Sequence, residues 1–376
     1  MYNLTPRDEH VFPDDTWVLD LTRTPSGGLV SISSDQSLTL FDPTSLGRGP
    51  AARLSTNHGN LTTLGLFGES VVCTAGEDGS VGVWDLRGGK SVGRFNGEYL
   101  LSLSLSPSLP PSLSLSLSPS LPLSLYIYIY IYIYCMANIE RWKATDAPIM
   151  SMACNAQTST IALGTELTDH QASVVLWDMR SSSLRAAYHD LHSDDVTTLS
   201  YHPSRPDVVL SGSTDGLVSV HDTSIPDEDD MTVQTLNLGA SVHRAGFLGS
   251  SSLVAALSHD ERFALYDVSD AAASGDALRD FGDVRGALDC RYVVDVVPKV
   301  DGTGAILGVG DQERGSFQLV FLAAQDHQWT LDRSTGVGLP GAHGEDIVRS
   351  FCFFDENQLV FTGGEDGKIK AWCPGS

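Results

Sequence analysis

The chain has 376 residues, of which 41% are hydrophobic, and its formal net charge at pH 7 is −24. That length suits one large repeat domain or two ordinary domains. The acidic excess disfavours direct binding to nucleic acid or to anionic membranes, because both attract basic proteins. It favours a basic protein partner, although acidic charge also serves simply to keep a large β-rich protein soluble.

The cysteines give no sign of a disulfide framework or of a zinc site. None of the six forms a C-x-x-C pair, and Cys73 and Cys352 occur within apolar, strand-like stretches. That placement is typical of buried thiols in a reducing compartment. The first nine residues lack the apolar segment of a secretory signal. We therefore expect an intracellular protein of the nucleus, the cytoplasm or both, without a metal site or a cofactor.

One phrase recurs along the chain: a strand-like stretch, an Asp-containing turn, a second stretch, and an aromatic residue followed by Asp. In the clearest copies the turn aspartate stands six residues before the aromatic position, as in Asp78 and Trp84, Asp215 and His221, and Asp366 and Trp372. The spacing defines seven repeats, at about residues 17–42, 58–87, 139–180, 192–222, 242–267, 292–322 and 343–373. The fifth is degenerate, and the sixth has lost the turn aspartate and the aromatic residue.

The repeats predict an all-β fold. Hydrophobic residues alternate with a period of two, as at Val81 and Val83, and helical periodicity is nearly absent. Units of roughly 40–50 residues with four short strands are typical of β-propeller blades, and closing them into a ring removes exposed strand edges. We predict a single closed seven-bladed propeller, one domain over residues 1–376. A strand near residues 3–12 is expected to complete the last blade.

A low-complexity segment at residues 99–136 interrupts this rhythm. It alternates Ser with Leu and then Tyr with Ile, and no charged residue occurs between Glu98 and Glu140. Ser and Pro break its apolar runs, so it does not suit a membrane span. Such alternation is what CT and TA dinucleotide repeats encode, which indicates a translated intron. The alternative is a disordered loop on the propeller surface.

Three repeats contain the same ordered set of polar and aromatic residues. The copies are His58, Thr74, Asp78 and Trp84; His192, Ser211 and Asp215, followed by His221; and His343, Thr362, Asp366 and Trp372. Ser, His and Asp also form hydrolase triads, but a catalytic set does not recur once per repeat. Buried imidazole, hydroxyl and indole groups need hydrogen-bond partners, and these residues can supply one another. We interpret the sets as structural networks and expect no catalytic residues.

The Asp-Gly turn, the terminal Trp-Asp and the upstream His resemble WD40 repeats, which form propeller blades. The resemblance covers nearly the whole chain apart from residues 99–136. It implies a non-catalytic scaffold for protein–protein interactions, with specificity in exposed loop residues. We expect a monomeric propeller that works within a complex. A narrower likeness to one WD-repeat protein is carried by residues 192–197, 202–204, 210–218, 258–261, 348–352 and 362–366.

Two consecutive repeats end in W-D-x-R, with Asp85 and Arg87 in one and Asp178 and Arg180 in the next. This box is similar to the one by which WD40 substrate receptors dock on the damaged-DNA-binding adaptor subunit of cullin-4 ubiquitin ligases. The resemblance implies that these four residues bind a partner, since a guanidinium can form bidentate contacts. The alternative is that each arginine is a solvated turn residue.

Three functions follow, in order of preference. The first is a scaffold that acts as a substrate receptor of a cullin-4-type ligase. The second is an adaptor or chaperone-like binder of a basic protein, such as a histone or ribosomal protein, which the acidic charge favours. The third is a propeller hydrolase. It would require a residue set that occurs in one blade only and converges on the central channel.

Overall fold

The computed structural model describes residues 2–13, 15–86, 95–96, 140–249, 252–269, 275–299, 304–325 and 328–375. Regular structure in these ranges is almost entirely β-strand. The helical segments are two one-turn α-helices, Glu228–Met231 and Arg285–Leu288, and two 3-10 turns, Leu46–Arg48 and Asp355–Asn357.

The strands follow one another along the chain as short, regular elements. In order they are β1 (Tyr2–Val11), β2 (Val18–Arg23), β3 (Leu29–Ser33), β4 (Ser37–Phe41), β5 (Ala52–Ser55), β6 (Leu61–Leu66), β7 (Val71–Gly76), β8 (Ser80–Asp85), β9 (Phe95–Asn96), β10 (Glu140–Lys143), β11 (Ile149–Asn155), β12 (Thr160–Thr165), β13 (Val174–Asp178), β14 (Ser183–Tyr188), β15 (Val196–Tyr201), β16 (Val208–Ser213), β17 (Leu217–Asp222), β18 (Thr232–Asn237), β19 (Val242–Phe247), β20 (Leu253–Ser258), β21 (Arg262–Asp267), β22 (Ala277–Asp283), β23 (Tyr292–Pro298), β24 (Gly304–Asp311), β25 (Ser316–Gln325), β26 (Gln328–Pro340), β27 (Val348–Phe354), β28 (Leu359–Gly364) and β29 (Lys368–Pro374).

These strands form antiparallel four-stranded blades. Blades 1 to 7 are β2–β5; β6, β7, β8 and β10; β11–β14; β15–β18; β19–β22; β23–β26; and β27–β29 with β1. The two-residue strand β9 pairs in parallel with β10 and adds a fifth strand at the edge of blade 2. The first strand of each blade contacts the first strand of the next, and β27 contacts β2, so the blades close into a ring. The all-β, seven-bladed propeller expected from the repeats is therefore confirmed.

The N-terminal strand completes the ring. β1 pairs antiparallel with β29, with Leu4 opposite Pro374 and Val11 opposite Lys368. Its first residues also pair in parallel with β26, which joins blades 6 and 7 into one sheet. The expected strand near residues 3–12 is thus present as the outer strand of blade 7.

Sequence repeats and structural blades are offset by one strand. The repeat pattern assigns residues 139–180 to one unit, whereas β10 pairs with β8 and belongs to blade 2. The reason is that turn and Trp-Asp signals mark the second and third strands, while the outer strand has no signature of its own. Residues 99–136 therefore fall between two strands of blade 2, and they lie outside the described residues.

Apolar packing holds the blades to one another. The described residues form seven buried hydrophobic clusters, and each cluster combines side chains from two neighbouring blades. The cluster between blades 7 and 1, for example, joins Phe354 and Phe361 with Val18 and Phe41. Residues on both surfaces of each sheet are thereby removed from water, which is the main source of stability for such a fold.

The alternating strand directions place the loops on two opposite faces. We call the upper face the one formed by the loops that enter each first strand and by the turns between second and third strands. The lower face carries the remaining loops. Backbone hydrogen bonds tie the loops of the upper face together, such as His259 N–H to Ser241 O (2.9 Å) and Thr214 N–H to Asp195 O (3.0 Å).

Candidate functional site

The polar set of blade 7 forms a continuous hydrogen-bonded network at the upper face. Nδ1 of His343 lies 2.6 Å from Asp366 Oδ1, and its Nε2 lies 2.8 Å from Thr362 Oγ1. The Trp372 indole N–H donates to the same hydroxyl at 2.9 Å. Asp366 also accepts the backbone N–H of Lys368 at 3.1 Å. The network therefore connects the turn to the buried interior of the blade.

Blade 4 repeats this arrangement with one substitution. His192 lies 3.0 Å from Asp215 through Nδ1 and 2.7 Å from Ser211 Oγ through Nε2. His221 takes the place of the tryptophan, and its Nε2 lies 2.7 Å from the same hydroxyl. Its Nδ1 lies 3.0 Å from Thr232 Oγ1. Both ring nitrogens of His221 are thus hydrogen-bonded, so the imidazole can replace an indole at this position.

Blade 2 inserts a serine into the chain of contacts. His58 Nε2 lies 2.9 Å from Thr74 Oγ1, to which the Trp84 indole donates at 2.8 Å. Its Nδ1 lies 2.8 Å from Ser80 Oγ, and that hydroxyl donates to Asp78 at 2.7 Å. All the residues singled out in the three sets are thus brought together within their own blades.

The buried position of the hydroxyls decides what these sets can do chemically. Ser211, Thr74 and Thr362 have no solvent exposure. A nucleophile must reach a substrate, and these side chains cannot, because they already bridge a histidine and an indole or second imidazole inside the sheet. The arrangement fixes the position of each turn and satisfies buried polar groups that would otherwise be costly.

Arg180 and Asp178 lie together on the lower face, in the turn that follows β13. The Asp178 carboxylate accepts the backbone N–H of Arg180 at 2.7 Å, and the exposed Arg180 guanidinium donates to the Thr158 carbonyl at 3.1 Å. Asp85 stands half-buried at the end of β8. Arg87 lies outside the described residues. The one arginine of the pair that the structure describes is therefore surface-exposed and held by a single carbonyl.

Blade 5, which contains the degenerate fifth repeat, departs from the pattern of blades 2, 4 and 7. Leu238 stands where blade 4 has His192, four residues before the first strand, and no hydrogen bond of the Asp260 carboxylate is found within the described ranges. The position after the turn aspartate is Glu261 rather than glycine, with φ of 63°. The corresponding glycines Gly79, Gly216 and Gly367 have φ of 73°, 89° and 68°. This Asp-Glu in place of Asp-Gly is the sequence signal that could have identified the site.

The departure faces the upper mouth of the central channel. A recess of about 500 Å³ lies there, lined by the beginnings of the first strands of all seven blades. Its polar lining includes His243, His259, Glu261 and Arg349, and much of the rest is apolar: Leu19, Leu61, Met150, Tyr292, Val294 and Ile347. We call it the channel recess.

Burial changes the protonation of two groups in the channel recess. It lowers the pKa of His243 to about 3, assisted by the neighbouring Arg244 charge, so this imidazole is neutral near pH 7. It raises the pKa of Glu261 to about 7, although the Val293 N–H donates to Glu261 Oε2 at 3.1 Å and opposes the shift. Glu261 is therefore a carboxyl group that titrates near neutral pH.

The titratable residues His243, His259 and Glu261 belong to one blade and line the central channel, as a hydrolase site would require. Whether they form such a site depends on their hydrogen bonds. Ser241 Oγ lies 3.1 Å from His259 Nδ1. Among the described residues, however, no hydrogen bond connects Glu261 with His243 or His259, so the third member that orients a catalytic base is not in place. The recess has the features of a binding site rather than of an assembled triad.

Groups of metal ligands and membrane-spanning helices are both absent from the part of the chain that the structure describes. Nowhere in it do three His, Cys, Asp or Glu side chains come together as metal ligands. Its helices are too short to cross a membrane.

Comparison with known proteins agrees with the blade architecture. The family described as "WD domain, G-beta repeat" matches residues 187–222 and 337–373, which include the networks of blades 4 and 7. An uncharacterized WD repeat-containing protein of Schizosaccharomyces pombe is 34% identical over 250 residues, which cover 62% of this chain and 72% of the relative. The chain belongs to the WD40-repeat family.

Other relatives bear similar names. An uncharacterized WD repeat-containing protein of Saccharomyces cerevisiae is 34% identical over 235 residues, 60% of this chain and 56% of the relative, so the match spans little more than half of that protein. The WD repeat-containing protein 89 homolog of Dictyostelium discoideum is 27% identical over 206 residues, 53% of this chain and 54% of the relative. The narrower likeness in the sequence is a likeness to WD repeat-containing protein 89, and this relative supports it.

We predict that Asp366→Ala lowers the free energy of unfolding by about 1–3 kcal/mol, because His343 and the turn amide lose their acceptor. Asp260→Ala is the matched control, since it removes the same turn carboxylate from blade 5, and its effect should stay within about 0.5 kcal/mol. Urea unfolding followed by circular dichroism measures both. Equal stability of the two variants would show that the network does not stabilise the blade.

A second prediction concerns acid stability. Burial, together with the nearby His192, lowers the pKa of His221 to about 3, whereas an unfolded histidine has a pKa near 6.5. The unfolded chain therefore binds the proton more readily, and stability falls as the pH drops from about 6.5 towards 3, by up to about 1.4 kcal/mol per pH unit from this group.

His221→Gln keeps a side chain that can donate to Ser211 and removes the titration, so its stability should decline less steeply with falling pH. His170→Gln, at an exposed histidine, is the control and should follow the wild-type curve. Urea midpoints at pH 7, 6 and 5 are the measurement. Parallel curves for His221→Gln and wild type would contradict the assignment.

Proposed function

We propose that this WD40 protein is an interaction scaffold whose upper face binds a basic segment of a partner protein. The observation that supports the proposal most strongly is the distribution of charge. The loops of the upper face carry a series of exposed carboxylates: Asp15, Glu77, Asp146, Glu166, Asp169, Asp190, Asp260, Glu313, Glu345 and Asp346. Carboxylates gathered on one face attract cationic ligands over longer distances than single ion pairs do.

Cationic side chains are scarce on the same face. The described loops there contain three arginines, and each is already paired with a carboxylate: Arg285 with Asp283 at 2.7 Å, Arg291 with Glu313 at 2.8 Å, and Arg314 with Asp289 at 2.7 Å. The lower face is mixed, with Arg48, Arg180 and Arg205 exposed among its acids. Among the described loops, those of the upper face therefore carry few cations and many exposed carboxylates, and both faces have an acidic excess.

We predict that the purified protein binds a fluorescein-labelled lysine-rich peptide, and that the affinity falls several-fold between about 50 and 200 mM NaCl, because salt screens exposed charges. The double variant Glu345→Gln/Asp346→Asn should weaken binding several-fold. Asp229→Asn/Asp230→Asn removes the same charge from the lower face and should leave the affinity unchanged. Fluorescence anisotropy gives the dissociation constants.

Two outcomes contradict this proposal. Affinity that does not depend on salt would show that charge does not drive binding. Equal losses in the two double variants would show that the upper face has no special role.

A second proposal concerns the lower face. We infer from the exposed W-D-x-R arginine that this face docks on the adaptor subunit of a cullin-4-type ligase, which would make the protein a substrate receptor. Arg180 supports this because its guanidinium is exposed and donates to only one carbonyl among the described residues. The two proposals are compatible, since a basic substrate on the upper face leaves the lower face accessible.

We predict that Arg87→Ala/Arg180→Ala reduces recovery of the adaptor in a pulldown from cell extract, because the bidentate contacts of the guanidinium groups are lost. Arg205→Ala, another exposed arginine of the lower face, is the control and should recover as much adaptor as the wild type. Equal recovery with the double variant would exclude this docking mode.

A further inference from the structure

Glu261 has a backbone conformation that favours glycine. It occupies the left-handed position of the blade 5 turn, where blades 2, 4 and 7 have Gly79, Gly216 and Gly367. Blade 1 also has a side chain at this position, that of Gln36, with φ of 62°. A side chain there costs conformational energy, and Glu is not among the residues that tolerate it best. Strained positions persist when the surroundings hold them and are concentrated at functional sites. The conformational cost at Glu261 is consistent with a functional role for its side chain.

Among the described residues, no cation lies within ion-pair distance of the Glu261 carboxylate. The charge of Arg285 is close enough to oppose the rise in the pKa of Glu261, but its guanidinium is bound by Asp283 at 2.7 Å. Oε2 accepts the Val293 N–H at 3.1 Å, and within the described ranges the carboxylate has no ion pair and no further hydrogen bond. The residue is half-buried. A charge that is partly removed from water without a partner is unfavourable, and a cation beside it would relieve that cost. We therefore expect the ligand group that pairs with the Glu261 carboxylate to be a cation.

The channel recess has the shape for a long side chain. Its volume of about 500 Å³ is within the usual range for ligand sites, and Leu19, Met150 and Ile347 supply apolar wall. Lysine and arginine have a methylene stem that packs on apolar surface and a charged end that needs a polar partner. The walls of the recess and Glu261 match these two parts.

Two arginines also line the channel recess, and neither fills this role. Arg349 is bound by Glu365, at 2.8 Å from Nε and 2.5 Å from Nη2, and lies over the Trp17 ring at 5.5 Å. Arg244 lies close enough to the half-buried Asp20 for its charge to oppose the rise in the pKa of that carboxyl that burial causes. Both cations have carboxylates of their own nearby.

We propose that the channel recess binds one lysine or arginine side chain of the basic partner, with its charged end paired with Glu261. The recess is thereby the anchor point of the acidic upper face. This inference rests on the proposed binding of a basic segment and adds to it a defined pocket and a requirement for side-chain length.

The experiment uses the full chain and three labelled peptides of equal charge: six repeats of Lys-Gly, six of Arg-Gly, and six of diaminobutyrate-Gly, whose stem is shorter by two methylenes. We expect the wild type to bind the lysine or the arginine peptide about tenfold more tightly than the short-stem peptide, as expected for one charge-assisted hydrogen bond. Glu261→Gln should abolish this preference. Glu345→Gln, an acid on the same face outside the recess, should retain it.

The possible outcomes separate the two proposals. If the wild type binds all three peptides equally, or if Glu261→Gln retains the preference, the recess is not the anchor while the acidic face still binds. If the wild type binds no basic peptide, both proposals fail. Glu261→Gln keeps an oxygen that can accept the Val293 N–H, and its melting temperature should remain close to that of the wild type.

A ligand competition checks the pocket without a mutation. n-Butylammonium, which has the length of a lysine side chain, should displace the lysine peptide from the wild type at lower concentration than tetramethylammonium, which carries the same charge without a stem. Equal displacement by the two cations would overturn the assignment of the recess.

Discussion

Burial of both surfaces of every blade is the constraint on which the rest of the structure depends. Each four-stranded sheet has apolar side chains on its two sides, and each of the seven clusters of buried residues is shared by two neighbours. An open row of blades would leave two apolar surfaces in water, whereas a ring leaves none. The ring closes where blade 7 packs on blade 1 through β27 and β2, and β1 completes blade 7 by pairing with β29.

The closed ring separates stability from function. The network of blade 7 fixes the position of a turn through His343, Thr362, Asp366 and Trp372. The equivalent networks do the same in blades 2 and 4, so the polar groups of these residues are directed at one another inside the blade. The exposed loop side chains are free of this structural role, and on the upper face many of them are carboxylates. Blade 5 is informative among the blades without a histidine network, because its turn residue Glu261 faces the channel recess.

Much of the architecture could be predicted from the repeats. Asp-Gly turns and Trp-Asp ends mark the second and third strands of a blade, since a left-handed turn favours glycine and a buried indole needs a hydrogen-bond acceptor. Outer strands carry no comparable signal, and β10 was consequently assigned to the wrong unit by the repeat pattern. The networks were predictable for a similar reason: each is local to one blade, so its members recur at constant spacing.

The sequence by itself determined the number of blades, the residues of the turn networks and the sign of the net charge, because these depend on local spacing and composition. Only the tertiary structure decided which residues meet across blades. Glu261, Val293 and Arg349 come from three different blades, and nothing in their separation along the chain indicates that they line one recess. Such convergence depends on the geometry of the closed ring, which exists only when all seven sheets are packed together.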